Sequence, residues 1–555
     1  MIYTSPFAPV PPERVHHGGI FDFLFHRPAA RDFDSRPALI DALTGKTTTY
    51  AELRDESLSF ADGLARVAGL KRRDTVLLFS PNSTLYPTLL LAGQAAGLVV
   101  STANAAYTAD ELQHQLEVSE ASVVLASADL LETTATAAER VGLGLDRVFV
   151  LPDAKGAVPD KLPHGMRSFE ELRGSKSFKP VIPTFQEAKT DIAYLPFSSG
   201  TTGKGKGVAL SAYNATMCIQ QVQQTPGTGD RADTVLSILP LSHIFGLIVM
   251  FHLTIYNGGT LVILPKFVLK DALEAIQRYK CTTALIVPPI VLLMAKEEMV
   301  EEYDLSSLRY MLSGAAPLSH DLQQAVSRRL NLAMVQGYGM SETTSVGLTP
   351  EVLEPVVPGA AGRLLSSMEA RLVNSKGKDV KEGEAGELWL RGPNIMLRYH
   401  KNEKATRETL TKDGWLMTGD VCERNPEGHF FVVDRVKELI KYKGFQVAPA
   451  EYVPLNGCLL SAPFIADAAV IGIYSDEQAT ELPRAYIVPA PSAANSSTLV
   501  EDVKKWVEEK LAPHKRLRGG VVILDAIPKS PSGKILRKDL RVLAAKETKK
   551  ERAKL

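Results

Sequence analysis

The sequence has no charge excess, few cysteines and no long apolar run, and each shortage excludes something. It carries 63 Lys and Arg against 63 Asp and Glu, so it lacks the basic surplus with which a protein neutralises a nucleic-acid backbone. Its 4 cysteines, Cys218, Cys281, Cys422 and Cys458, are widely spaced and form no CxxC pair. That excludes a disulfide framework and a cysteine zinc site, and fits a reducing compartment. The most apolar stretches, Phe245–Tyr256 and Ala284–Ala295, fall short of the ~18–20 residues of a transmembrane span, and Pro288-Pro289 interrupts the second. The stretch from Met1 to Pro12 is proline-rich and lacks the basic-then-apolar layout of a secretory signal. No internal repeat or low-complexity tract stands out. The expectation is a soluble, intracellular chain, whose 555 residues exceed one domain.

What is present is an alternation of short apolar runs and helical stretches. Thr75–Phe79, Val123–Ala126, Val148–Leu151, Thr234–Leu239, Thr260–Leu264, Thr283–Val287 and Met334–Tyr338 carry Val, Ile and Leu on successive residues, the pattern of strands buried on both faces. Helices are predicted at Ala51–Ala68, Asp110–Glu117 and Asp271–Tyr279. Together these predict an α/β large domain with mainly parallel sheets flanked by helices. From about Gly362 alternating apolar positions predict a β-rich subdomain, about 362–435. A small α+β domain follows over 436–555, with strands near Ala468–Ile473 and Arg484–Val488 and a helix at Leu499–Leu511. Within it, Pro454 suits a first helical turn whereas Asn456-Gly457 predicts a turn.

The strongest local signal is the run Tyr194-Leu-Pro-Phe-Ser198-Ser199-Gly200-Thr201-Thr202-Gly203-Lys204-Gly205-Lys206-Gly207. Glycines let backbone N–H groups turn toward an anion, hydroxyls add donors and lysine adds charge, the chemistry of a phosphate cradle. Gly200 to Lys206 satisfies the GxxxxGK spacing of a P-loop, but Gly207 stands where Ser or Thr would hold magnesium. A flexible surface turn is the bland alternative.

This loop resembles the signature loop of the adenylate-forming superfamily, which includes acyl- and aryl-CoA synthetases, 4-coumarate–CoA ligases and beetle luciferases. Gly205 stands where the family usually has Pro. Further motifs match in order, and the resemblance covers nearly the whole chain. It implies that Ser198, Ser199, Gly200, Thr201, Thr202, Gly203 and Lys206 hold the ATP phosphates. His243, in Leu239-Pro-Leu-Ser-His243-Ile-Phe245-Gly246, then lies beside the reacting carboxylate. A satisfied core histidine is the plain alternative there. Phe245, Val249, Gly314, Ala315 and Gly337 line an apolar acyl pocket. Ala315, Gln336, Gly337 and Tyr338 meet adenine, Ser341 or Thr343 donates to the α-phosphate, and Glu342 holds Mg2+. Read without the family, Ser341 is a helix N-cap. Asp420 and Arg435 bind the ribose, with a structural ion pair as the alternative.

In the last domain the resemblance makes Lys437 a hinge and places Lys441 near AMP. It puts Lys443 and Gly444, together with Lys266, near coenzyme A. Lys534, in Pro528-Lys-Ser-Pro-Ser-Gly533-Lys534, matches the adenylation lysine. The implied reaction uses ATP, Mg2+ and coenzyme A: a carboxylic acid, phenylpropanoid, aromatic or medium-chain aliphatic, is adenylated and then passed to the thiol. A luciferase-like monooxygenase and a stand-alone amino- or aryl-acid adenylation enzyme are the competing readings. The terminal Ala553-Lys554-Leu555 resembles a peroxisomal import address and implies an import receptor as partner, with a cytoplasmic protein otherwise.

Overall fold

The computed structural model describes the chain except residues 199–204, 230, 317, 319, 354, 436–439, 443–444, 448–453, 476–477, 479, 495, 512–514, 530–534 and 553–555. Two sheets build the large domain. In the first, Val99–Ala103, Thr75–Phe79, Val123–Ser127 and Val148–Leu151 run parallel side by side. The strands Thr75–Phe79, Val99–Ala103 and Val123–Ser127 are buried at every position, as the apolar runs of the first and third require; Val99–Ala103 carries Ser101 and Thr102 in its middle. On the edge next to Val99–Ala103 stand Ile192–Tyr194, Lys206–Ser211 and Phe197–Ser198. The second sheet has 7 strands, with Ala333–Gln336, Tyr310–Ser313, Thr283–Ile286, Thr234–Ser237, Thr260–Ile263 and Pro37–Asp41 parallel in that order.

The helices between strands start where the sequence caps them. Thr49 and Glu52 close a capping box on Tyr50–Arg66, and Thr108 and Glu111 another on Ala109–Ser119, each pairing two orphan N–H groups. The third predicted helix spans Leu269–Tyr279. The apolar run Ala284–Ala295 divides at its prolines into strand Thr283–Ile286 and helix Pro288–Lys296. One large apolar core extends through both sheets and into the β-rich region.

That region is a 5-stranded antiparallel sheet of Tyr3–Thr4, Glu369–Val373, Gly386–Arg391, Leu416–Arg424 and Phe430–Arg435. The small domain has its own core, including Leu455, Leu459, Val470, Ile487 and Val503. Its sheet is Ile465–Ser475, Thr480–Pro489 and Val521–Ile523. The turn expected at Asn456-Gly457 is a helix instead, Pro454–Leu460. Leu455 and Leu459 are fully buried, and Asn456 donates from Nδ2 to the Ala468 carbonyl at 3.2 Å. Tertiary burial of one face here overrides the local turn preference of Asn-Gly. Among the described residues no helix is long and apolar enough to cross a membrane.

Candidate active site

Three parallel strands of the second sheet deliver the first half of the site from their carboxyl ends. Tyr310–Ser313 runs out into Gly314 and Ala315, Ala333–Gln336 into Gly337 and Tyr338, and Thr234–Ser237 toward Pro240 and His243. Open α/β sheets bind ligands at this edge, where the strands have given way to loops. His243, Phe245, Val249, Gly314, Ala315, Gly337 and Tyr338 line one cavity of about 520 Å³, mouth included. All six residues expected around an acyl group are therefore brought together.

The cavity wall is mostly apolar, with His243 among its few polar groups. Phe245 and Val249 come from a helix in π register, Phe245–Leu253, a geometry found mostly at functional sites. A Cβ on Gly314 would stand 3.1 Å from the Phe245 ring, so this glycine makes room for the aromatic. His243 is half-buried, and its Nδ1 accepts the Phe245 N–H at 3.3 Å. In the neutral ring that bond leaves the proton on Nε2, a donor suited to a carboxylate.

The opposite wall, Ser345 to Pro350, was not foreseen. Ala315, Thr344 and Ser345 have φ of 66°, 50° and 94°, a cluster of left-handed non-glycine residues of the kind found at ligand sites. Asn394 holds this wall: Nδ2 donates to the carbonyls of Thr343 (2.9 Å) and Val346 (2.7 Å), and its own carbonyl accepts from the Thr344 hydroxyl (2.6 Å).

The residues expected at the nucleotide fall into two bonded groups, one of which shares Tyr338 with the cavity. The Tyr338 hydroxyl donates to Asp420 Oδ2 at 2.6 Å, so the expected adenine and ribose residues are in contact. Burial, and then the Asp420 charge, hold the Tyr338 hydroxyl protonated far above its ordinary range. Asp420 stands opposite Arg435 in the strand register. Glu342 is buried and accepts the Tyr399 hydroxyl on Oε1 at 2.6 Å. Lys206 Nζ sits 4.7 Å over the Tyr399 ring, a cation–π contact. Ser198 and Lys206 are cross-strand partners, so the ends of the glycine-rich segment are pinned together. Ser199, Gly200, Thr201, Thr202 and Gly203 lie outside the described residues.

Two expected contacts are turned inward. Gln336 accepts the Leu318 N–H on Oε1 and donates from Nε2 to Gln323, bracing the segment after Ala315. Thr343 exchanges hydrogen bonds with the Met340 N–H and carbonyl, both 3.0 Å. Ser341 does not cap a helix: it opens a single 3-10 turn, Ser341–Thr343, whose N-cap is Met340. Lys266 is exposed in the turn after Thr260–Ile263. Lys441 is on strand Ile440–Tyr442 of the small domain. Lys437, Lys443, Gly444 and Lys534 fall outside the described residues, as do the side chains of Arg435 and Lys441.

The loops carrying these residues are held from behind by side chains no motif marked. Asn82 accepts the Leu241 N–H at 2.8 Å and donates to the Leu239 carbonyl at 2.8 Å. Thr102 donates to the Ser242 carbonyl at 2.7 Å, and Ser101 to the Leu195 carbonyl at 2.9 Å. Tyr399 and Asn394 likewise carried no signal before the fold placed them.

Among the described residues no group of three or more His, Cys, Asp or Glu could hold a metal. Glu342, a buried carboxylate with one oxygen already oriented, fits Mg2+ in the manner of sites that supply one or two protein oxygens and take the rest from phosphates and water.

Comparison with known proteins gives the family and the fold. Residues 25–400 match the family of AMP-binding enzymes, and residues 456–534 match the AMP-binding enzyme C-terminal domain. A probable CoA ligase of Humulus lupulus is 38% identical, over 98% of this chain and 96% of that one. A peroxisomal OPC-8:0-CoA ligase of Arabidopsis thaliana is 37% identical, over 93% of this chain and 92% of its own. A 4-coumarate–CoA ligase of Nicotiana tabacum is 38% identical over the same shares, 93% and 92%. Among solved structures, ATP-bound MatB from Rhodopseudomonas palustris superposes with a TM-score of 0.83 at 26% identity, covering 95% of this chain and 99% of that one. An anthranilate CoA ligase in complex with anthranoyl-AMP shares the fold, with a TM-score of 0.86 at 24% identity and coverage of 96% and 98%.

Proposed function

Since the chain belongs to the family of AMP-binding enzymes, we propose that its cavity and nucleotide face together perform the AMP-forming ligation of a carboxylic acid to coenzyme A. It is an acyl- or aryl-CoA ligase with a large amino-terminal and a small carboxy-terminal domain. One observation carries the assignment of parts. The acid cavity and the residues suited to a nucleotide share Tyr338, which lines the cavity and donates to Asp420 at 2.6 Å. An acid in the cavity is thus presented to the α-phosphate of a nucleotide bound at its mouth.

The carboxylate oxygen attacks the α-phosphorus of ATP and pyrophosphate leaves, giving an acyl-adenylate. The coenzyme A thiolate then attacks the acyl carbon, the thioester forms and AMP leaves. Bringing two anions together needs positioning and positive charge more than covalent catalysis. His243 Nε2 orients the carboxylate. Lys206 and Ser198, with Ser199, Gly200, Thr201, Thr202 and Gly203 between them, hold the leaving phosphates, and Ser341 serves the α-phosphate. Glu342 would hold Mg2+, which supplies charge for those phosphates. Asp420 and Arg435 take the ribose, and Tyr338 the adenine.

Lys534 bridges carboxylate and α-phosphate as a point charge. Rotation at Lys437, at the boundary placed between 435 and 436, then exchanges it for the coenzyme A residues Lys266, Lys443 and Gly444. The cavity wall of Phe245, Val249, Leu312 and Val346 favours an aromatic or medium-chain aliphatic acid with few hydroxyls. A panel of such acids scored by coenzyme A-dependent AMP release tests the reading, and AMP release without thioester for every acid overturns it. Lys534→Ala is expected to lose adenylation yet convert a supplied acyl-adenylate to thioester. Peroxisomal import through Ala553-Lys554-Leu555 rests on the tripeptide and on the name of one relative. Deleting Leu555 then leaves a fully active enzyme in the cytosol, and an unchanged location refutes it.

A further inference from the structure

The cavity helix contains a polar residue that the reaction does not use. In Phe245–Leu253 every residue is apolar or glycine except His252, which is fully buried. A buried polar ring persists only when both nitrogens find partners, and both do. Nδ1 lies 2.6 Å from the carbonyl of Leu247, five residues back, and Nε2 lies 2.9 Å from the hydroxyl of Tyr194. The carbonyl must accept, so Nδ1 carries the proton and Nε2 accepts from Tyr194. Tyr194 is fully buried too, its ring edge-on to the imidazole at 5.5 Å. It is the last residue of strand Ile192–Tyr194, four positions before Ser198.

Two features give this chain of bonds a consequence. Leu247 lies midway between Phe245 and Val249, the two helix residues that line the cavity. Runs in π register are rare and mostly last a single turn; here an imidazole N–H adds a bond to a carbonyl in the middle of a longer one. The bonded path runs from the strand that feeds the glycine-rich segment, through Tyr194 and His252, to the backbone that sets where Phe245 and Val249 stand.

We infer that Tyr194 and His252 are positioning residues for acid selectivity: their hydrogen bonds hold the π-register helix at the offset that fixes the width of the acid cavity. The inference rests on the proposed acid-activating role of that cavity. Neither side chain touches substrate, and the nucleotide residues sit on other elements, so the effect falls on the acid and not on ATP.

The test compares wild type, Tyr194→Phe, His252→Met and the double variant. The readout is ATP–pyrophosphate exchange with straight-chain acids of increasing length and with benzoate and cinnamate. Tyr194→Phe changes one oxygen and keeps the ring, so it carries the test if His252→Met does not fold. Its kcat/KM ratio between the best long and best short acid is expected to shift by about tenfold, the scale of one buried acceptor left unpaired, with KM for ATP unchanged. The double variant removes the unpaired nitrogen as well; it is expected to regain thermal stability but to keep the shifted ratio. An unchanged ratio in Tyr194→Phe, or a wild-type ratio in the double variant, overturns the inference while leaving acid activation intact. Failure of wild type to exchange with any acid overturns both.

Discussion

Replacing Tyr399 by Phe probes, with a one-atom change, the junction of Lys206 and Glu342, the residues proposed for phosphate and for metal. The hydroxyl donates to Glu342 Oε1 at 2.6 Å, and Glu342 is 4% exposed. A hydrogen bond to a buried charged acceptor is worth about 1.5–3 kcal/mol. Over a large domain of about 400 residues the unfolding entropy is about 0.8 kcal/mol per kelvin, so the melting temperature falls by only about 2–4 °C. The functional effect is expected to be larger than that modest loss. Partners that orient a ligating carboxylate typically change metal affinity by about 10–100-fold when removed. The Mg2+ concentration for half-maximal ATP–pyrophosphate exchange should therefore rise by about that factor, with much of the rate recovered at saturating Mg2+. Because the Phe ring remains, Lys206 keeps its seat 4.7 Å above it, and the phosphate residues are disturbed little. Loss of thermal stability with an unchanged Mg2+ midpoint would refute the reasoning, since Tyr399 would then be structural and Glu342 no ligand.

Other expectations follow from the same geometry. Gly314→Ala sets a methyl 3.1 Å from the Phe245 ring and so narrows the cavity; kcat/KM for the bulkiest accepted acid should fall by about tenfold or more relative to the smallest, the scale of one methyl group in a tight pocket, and an equal fall for all acids would count against it. Burial lowers the His252 pKa from 6.5 to about 4, so the unfolded chain binds the extra proton first. Its contribution is complete above pH ~6.5 and is lost as pH falls toward ~4, to a limit of about 3 kcal/mol. Urea midpoints at pH 4–7 should accordingly fall more steeply for wild type than for His252→Met, whereas parallel curves would contradict this. Cys218 and Cys281 are buried, with burial pushing both thiols up to about 12, and burial raises the Cys422 thiol well above its ordinary value too. A thiol reagent should label none of these three before unfolding, and fast labelling of the native protein would refute their placement.

The fold was legible where burial is two-sided and chemistry is local. Thr75–Phe79 and Val148–Leu151 are strands at the expected bounds, because an unbroken run of Val, Leu and Phe has no other stable home. Val99–Ala103 escaped notice: Ser101 and Thr102 make it look half-polar, yet their hydroxyls point to carbonyls of neighbouring loops and the strand is fully buried. Gly314, Ala315, Gly337 and Tyr338 were legible because they follow directly on strand ends in glycine-rich motifs, whereas His243, Phe245 and Val249 were marked by the family resemblance and the apolar run around them. Tyr399 and Asn394 were not, since each acts on a partner about fifty residues away that only the fold brings near. The inward turn of Gln336 and Thr343 was equally invisible, because an amide or hydroxyl beside a site reads the same whether it faces ligand or protein.

These hidden partners obey one rule. A loop leaving a parallel strand carries carbonyls that have lost their ladder neighbours, and in a dry interior each must be met by something. Leu195, Leu239 and Ser242 are such carbonyls, and Ser101, Asn82 and Thr102 meet them one for one. All three donors are neutral and short, so they fix the loops without adding charge behind a site where an anion must attack an anion. Of the charged residues proposed for the site, Asp420 and Glu342 are each oriented by a tyrosine hydroxyl, and Lys206 lies over the Tyr399 ring. The choice of neutral donors follows from electrostatics: a charge buried behind the loops would carry a desolvation cost that a hydroxyl or an amide avoids.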